Sequence, residues 1–575
     1  MNQKSTLGLP SNLSLDSLRE ILGYFKNDCS TLYSLLFVNR LWCKIVVPLL
    51  WRQPFDMTSL ENYDLIIQTY IYCLSEKEKS HFILAGVKLP YHPTPFFDYP
   101  TYLRSFDSDK FRQALNLWLK MNINESRFDP LNILCKPIKV LFGPMVKDRY
   151  NMIPRNILHK AVNKCIEPIV QDYYTTRPNF NVTKEMTRLL FSGCDKLRSL
   201  KICYDEDSLP LMEMIDSLCM KNVNALCNLQ NFELYIRENL ENEQEILENL
   251  FLTIARSATN IQHMKIDVPH EYKFPPKVHI ALYTMISSQK NLSSYMSNYF
   301  WDSKFSIHSA LKNRSLKRLN LWGLTRFDDS LIQGLLKWNN LETLELVGCP
   351  VTPMPCEPSC NKLNIKNLQL GNGYGNCPYI KTTLLQMCNT NLQKLTIEGV
   401  TSEILEEIIQ HCPNITHLSL CAYQDISKVL PKLISSLHHL KVLTLGHHEK
   451  FLFTKSTIGE FVQSLPSSLK SLSLNFNISF DFLKILLEKN QLNLYKLELH
   501  QSQTYPDKFI NFLSDYAKNQ TQIKLYIPPE HSPIPKKMSS LSTPLEIASI
   551  EVLKRASKHI NIYYKLDNKN FYNLW

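Results

Sequence analysis

A six-residue pattern, with leucine or isoleucine at its first, fourth and sixth positions, recurs through the C-terminal two-thirds of this chain at intervals of roughly 23–32 residues. The clearest copies begin at Leu316, Leu341, Ile365, Leu392, Ile415, Leu440, Leu469 and Leu494; Leu316-Lys-Arg-Leu319-Asn-Leu321 and Leu392-Gln-Lys-Leu395-Thr-Ile397 are typical. Weaker copies begin at Leu197, Leu229 and Ile261, and a degraded one at Leu292. One such hexamer carries no weight, but a near-regular series does. A unit of this length cannot bury its apolar face alone, so successive units must stack into a solenoid.

Between the copies the pattern turns helical. Ile404, Leu405, Ile408 and Ile409 follow the copy at Leu392, and Leu331, Ile332, Leu335 and Leu336 follow the copy at Leu316. Both sets form a stripe on one helix face. The series resembles the leucine-rich-repeat family. That resemblance implies an α/β solenoid, a curved array with a parallel inner sheet and outer helices, and a binding role rather than chemistry.

Composition narrows the class. With 575 residues the chain exceeds one compact core, and 44% apolar content fits a folded protein. Gly is scarce at 14 and Pro frequent at 31, which favours short, stiff connections over flexible linkers. The net charge of +11 is spread thinly with no long basic run, so no nucleic-acid partner is expected. No secretory leader and no membrane-spanning stretch is legible, and no membrane partner follows. The expected location is intracellular, cytoplasmic or nuclear. The 16 cysteines are then reduced thiols that behave as small hydrophobes.

The first fifty residues carry a second pattern. Leu15, Leu18, Ile21, Leu22 and Phe25 recur at helical spacing behind Ser14, a good N-cap. Asp28 can cap a second helix with Leu32, Leu35 and Leu36 on a stripe. Asn39 can open a third, with Trp42, Ile45, Val46 and Leu49 inward. Leu9-Pro10, Ile21-Leu22, Val38 with Trp42, and Leu50-Trp51 stand in the order and spacing of the F-box, which residues 8–53 resemble. The resemblance implies a Skp-type adaptor, and through it a cullin–RING ubiquitin ligase, as partner. It implies contact through Leu9, Pro10, Leu13, Ile21, Leu22, Val38 and Trp42. Trp42 also suits the core of the module itself.

Four segments result: an F-box-like domain over 1–53, a helical spacer over 54–190, leucine-rich repeats over 191–527, and a linker with a basic, aromatic tail over 528–575. The spacer shows helical stretches at Asn62–Leu74, Asp109–Met121 and Met152–Asp172 between proline-rich breaks. The tail can cap the last repeat or extend free of it.

Strand alternation turns the motif leucines inward and leaves the residues between them on the concave face. One column there reads Asn320, Glu345, Gln369, Thr396, Ser419, Thr444, Ser473, Glu498. Its neighbour reads Arg318, Thr343, Asn367, Lys394, His417, Val442, Ser471, Lys496. A solvated sheet face and a hydrogen-bonding platform for a protein substrate both fit. As a platform its candidates are Arg318, Asn320, Glu345, Lys394, Thr396, His417, Lys496 and Glu498.

No phosphate-cradling glycine loop, HExxH, GxSxG or CxxC pair occurs, so no enzyme activity and no cofactor is expected. The spacing of Cys349, Cys356, Cys360 and Cys377 misses the usual short-range zinc pairs. The resemblances together imply a substrate receptor of a Skp–cullin–F-box ubiquitin ligase. The alternative is a repeat scaffold with no part in ubiquitin transfer.

Overall fold

The computed structural model describes residues 14–84, 94–122 and, with breaks between elements, 183–564; the longest breaks are 206–222, 349–361 and 528–555. The described residues fall in two compact units, Met1–Leu292 and Ser293–Trp575.

In the first unit, three helices start where a side-chain oxygen meets the unpaired N–H groups of the first turn. Ser14 accepts from Ser17 N at 3.1 Å ahead of α1 (Leu15–Tyr24). Asp28 accepts from Thr31 N at 3.0 Å ahead of α2 (Cys29–Leu35). Asn39 accepts from Leu41 N at 2.9 Å and Trp42 N at 3.0 Å ahead of α3 (Arg40–Leu50). Leu22, Leu32, Ile45 and Val46 form their shared core, with Leu35, Leu36, Trp42 and Leu49 packed around it.

Helices α4 (Pro54–Met57), α5 (Tyr63–Tyr72), α6 (Glu76–Leu84) and α7 (Ser108–Asn122) follow. Trp51 packs edge-on against Tyr70 and lies 4.2 Å from the ring of Tyr99. Trp118 on α7 donates to Gln68 on α5 at 2.6 Å. The stretch Met152–Asp172 lies outside the described residues.

A short strand, β1 (Ser105–Asp107), sits inside this helical region and pairs in parallel with β2 (Ser199–Tyr204). β3 (Asn231–Ile236) and β4 (His263–Asp267) continue the series in register. One backbone device starts each strand. Arg198 O accepts from both Gln230 N and Asn231 N, at 2.8 and 2.9 Å, and Gln230 O accepts likewise from Gln262 N and His263 N. The same fork runs back through Arg104 O to Arg52 O, which accepts from Arg104 N at 2.7 Å and Ser105 N at 3.0 Å. The exit of the three-helix module is therefore bonded by the rule that joins one repeat to the next.

The second unit holds β5 (Ser294–Ser297), β6 (Arg318–Trp322), β7 (Thr343–Val347), β8 (Asn367–Leu370), β9 (Lys394–Val400), β10 (His417–Ala422), β11 (Val442–His447), β12 (Ser471–Asn475), β13 (Lys496–His500), β14 (Gln522–Ile527) and β15 (Ile560–Tyr564). From β5 to β15 each pairs in parallel with the next in sequence. Helices such as Ser402–His411 and Phe480–Lys489 fill the crossovers. This alternation is a leucine-rich-repeat-type solenoid. The motif leucines stack in two continuous columns: Leu319, Leu344, Leu368, Leu395, Leu418, Leu443, Leu472 and Leu497, and Leu321, Leu346, Leu370, Ile397, Leu420, Leu445, Leu474 and Leu499. All are buried. The tail's Ile560 pairs with Ile523, so the tail supplies a strand to β14.

An asparagine just before the first motif position adds a polar seam. Asn291 donates to Asn260 at 3.2 Å, Asn391 to Asn364 at 2.6 Å, and Asn414 to Thr390 O at 2.8 Å. β9 carries one irregularity. Gly399, at φ 62°, is the extra residue that shifts the register between Cys421 and Ala422, and the buried Lys381 donates to the neighbouring Glu398 carbonyl at 2.5 Å.

Candidate interaction surfaces

The three-helix module keeps part of its apolar complement outside. Ile21 is 43% exposed and Val38 55%. Tyr24, Phe25, Tyr33 and Phe37 are exposed as well, and the rings of Tyr33 and Phe37 meet edge to face at 5.3 Å. One sequence expectation changes here. Leu22 is 1% exposed and belongs to the core, because α1 turns Leu18 and Leu22 inward together. Phe25, which recurs at helical spacing with Leu18 and Leu22, lies at the surface, one residue beyond the last turn of α1. Trp42 is half-buried against the core cluster. Leu9, Pro10 and Leu13 lie outside the described residues. The sequence reading missed Tyr24, Tyr33 and Phe37. Their signal is that they are large and apolar yet stand off stripes already filled by leucine.

The outward sheet face of the first unit neutralises itself. Register aligns Asp107, Lys201, Glu233 and Lys265, so charge alternates from strand to strand. Lys201 pairs with Asp107 at 2.9 Å, and Tyr235 donates to Glu233 at 2.8 Å. The Tyr235 ring carries Lys201 Nζ at 5.4 Å and Lys265 Nζ at 4.8 Å. Lys201→Glu would set like charges opposite each other across both strand pairs. It is expected to cost about 1 kcal/mol, read as a lower Tm by calorimetry; an unchanged Tm would show that the alternation is incidental.

In the second unit the two columns run as expected, Arg318–Thr343–Asn367–Lys394–His417–Val442–Ser471–Lys496 beside Asn320–Glu345–Gln369–Thr396–Ser419–Thr444–Ser473–Glu498. Several members are engaged with each other. Glu345 accepts from Asn320 Nδ2 at 2.6 Å and Trp322 Nε1 at 3.1 Å. Burial raises the Glu345 carboxyl above its ordinary range, and the two donors partly offset that rise. At the far end Glu498 takes Lys496 at 2.9 Å and Lys524 at 3.6 Å. Ser473 is buried, so it is not the open position its alternation predicts.

The middle differs. Lys394 is exposed, while Thr396 and His417 are half-buried. Thr416 Oγ1 donates to Gln393 O at 3.0 Å, so its contact with His417 Nδ1 at 2.8 Å has the ring nitrogen as donor. Burial, then the charges of Lys394 and Lys441, hold the His417 imidazolium below its ordinary range, and the ring is neutral at pH 7. Lys441 belongs to a third column that the sequence reading passed over, the residue just after the first motif position: Lys317, Glu342, Lys366, Gln393, Thr416, Lys441, Lys470.

Among the described residues no group of three His, Cys, Asp or Glu is placed to hold a metal ion, and no helix is long and apolar enough to cross a membrane. Cys349, Cys356, Cys360 and Cys377 lie outside the described residues.

No family model and no curated protein matches the chain. Solved structures distantly similar to it include these two. The leucine-rich repeat-containing protein LegL7 from Legionella pneumophila is 14% identical over 58% of this chain and 94% of its own, with a TM-score of 0.30. The structure of the Rad7 and Elc1 complex in yeast gives 14% identity over 70% of this chain and 90% of that one, with a TM-score of 0.33.

Proposed function

We propose that this chain is the substrate-receptor subunit of a Skp–cullin–F-box ubiquitin ligase, acting in the cytoplasm or nucleus. The three-helix module takes the Skp-type adaptor, and the outward faces of the repeats take a protein substrate. The chain does no chemistry itself. It raises the effective concentration of the substrate beside a ubiquitin-charged enzyme.

One observation carries the reading. Ile21, Tyr24, Phe25, Tyr33, Phe37 and Val38 stay exposed on a module whose core closes without them. Apolar side chains gathered so densely in one small module mark an interaction surface. The F-box resemblance supplies the occupant. Co-expression of the full chain with a Skp-type adaptor should give one co-eluting complex on size exclusion. A folded chain that leaves the adaptor unbound would leave the alternative, a repeat scaffold outside ubiquitin transfer.

A further inference from the structure

Cations on the outward sheet face and at the strand entries mostly have a carboxylate near them, Lys317 and Arg318 standing beside Glu342, but those across β9 to β12 do not. In the first unit each cation of the face stands beside a carboxylate, as the Asp107–Lys201–Glu233–Lys265 alternation shows. In the second unit Lys366 pairs with Glu342 at 3.0 Å, and Lys496 and Lys524 share Glu498. Lys394, Lys441 and Lys470 are all exposed and make no ion pair with a described residue. Register brings them together. Lys394 lies across from His417, and Lys441 N and Lys470 N bond to Thr416 O and Lys441 O at the starts of the next two strands. The half-buried hydroxyls of Thr396 and Thr444 lie on the same face as Lys394, on β9 and β11.

Three exposed cations brought this close, with Glu398 four residues along β9 from Lys394, leave an excess of positive charge that a bound anion offsets. The neutral His417 between them adds nothing to that excess and offers a polar ring. From these features we infer that the sheet at β9 to β12, on the face that carries Lys394 and at the strand entries that carry Lys441 and Lys470, binds an anionic segment of a protein substrate, its oxyanions seated on these three lysines. This rests on the reading of the repeats as the receptor surface and names the class of substrate they take. Neighbouring strands stand ~4.8 Å apart, so β9 to β12 spans ~14 Å, which an extended peptide crosses in about four residues. Two oxyanions spaced that far apart on one peptide therefore reach both ends of the cluster. Phosphate and carboxylate groups share this chemistry, since each accepts charge-assisted hydrogen bonds from lysine.

The test uses the full chain and fluorescence anisotropy with degenerate decapeptide libraries. One library fixes two phosphoserines four residues apart, a second puts glutamate at those positions, and a third puts serine. Lys394→Glu with Lys441→Glu should weaken anionic-peptide binding about tenfold or more. The control, Lys432→Glu with Lys484→Glu on the helices Leu430–Ser436 and Phe480–Lys489, makes the same change in net charge and should leave binding intact. Preference for the phosphoserine library assigns the oxyanion to phosphate, and equal binding of the glutamate library assigns it to carboxylate. Binding no better than to the serine library overturns the inference, as does equal weakening by the control pair. Tighter binding of a single-stranded RNA decamer that displaces the peptide overturns it too. Adaptor capture is scored on the same preparations, so an unsubstituted chain that captures the adaptor but does not bind the anionic libraries defeats this inference and leaves the ligase reading standing.

Discussion

Leu395→Ala is expected to cost about 3–5 kcal/mol, the upper part of the range for truncating a buried leucine. Leu395 is 1% exposed and stands mid-column, with Leu368 and Leu418 on the strands either side. Parallel pairing fixes both neighbours, so the cavity cannot collapse by sliding one strand towards the other. The half-buried Thr396, one residue on and facing outward, should tolerate alanine within about 0.5 kcal/mol. Chemical denaturation of the full chain, followed by circular dichroism, reads both as shifts in midpoint. Equal shifts for Leu395→Ala and Thr396→Ala would show that the leucine column is not the core.

Loss of adaptor capture is the second large effect expected. Ile21→Asp and Val38→Asp each place a charge where an apolar anchor would be desolvated, and each should weaken binding by about 2 kcal/mol or more, roughly thirtyfold. Both side chains are exposed, so neither change should lower the stability of the free chain. Leu22→Ala makes the contrast, because it empties the module core and should lower stability. Point substitution is the sounder route here. A deletion through residue 53 would remove Trp51 from Tyr70 and Tyr99, and Arg52 O from the start of β1. Full capture by the Ile21→Asp, Val38→Asp double variant would remove the adaptor from this surface.

Much of the fold was legible. The leucine columns follow from a period-two pattern repeated at constant spacing, and the three helix starts follow from Ser14, Asp28 and Asn39, whose short polar side chains bond locally. β1 escaped because its copy reads Leu103-Arg-Ser-Phe106-Asp-Ser108, with Phe and Ser at the fourth and sixth positions. Leu103, Phe106 and Ser108 are nonetheless buried, as motif residues are. β15 escaped for a related reason, since Ser557 holds the first motif position before Ile560 and Ile562. A parallel ladder bonds through backbone, so a neighbouring strand can recruit a segment whose side chains advertise little.

The candidate surfaces divide along the same line. Sequence alone determined which residues share the outward face, because alternation is a local property of a strand. It also placed apolar residues on three short capped helices. Only the tertiary structure decided which of those residues remain available: Leu22 is taken by the core, Glu345 by Asn320 and Trp322, and Glu498 by Lys524, while Ile21, Val38 and Lys394 are left open. Availability depends on partners tens of residues away in the chain, which helix packing and strand register bring into contact and local sequence does not encode.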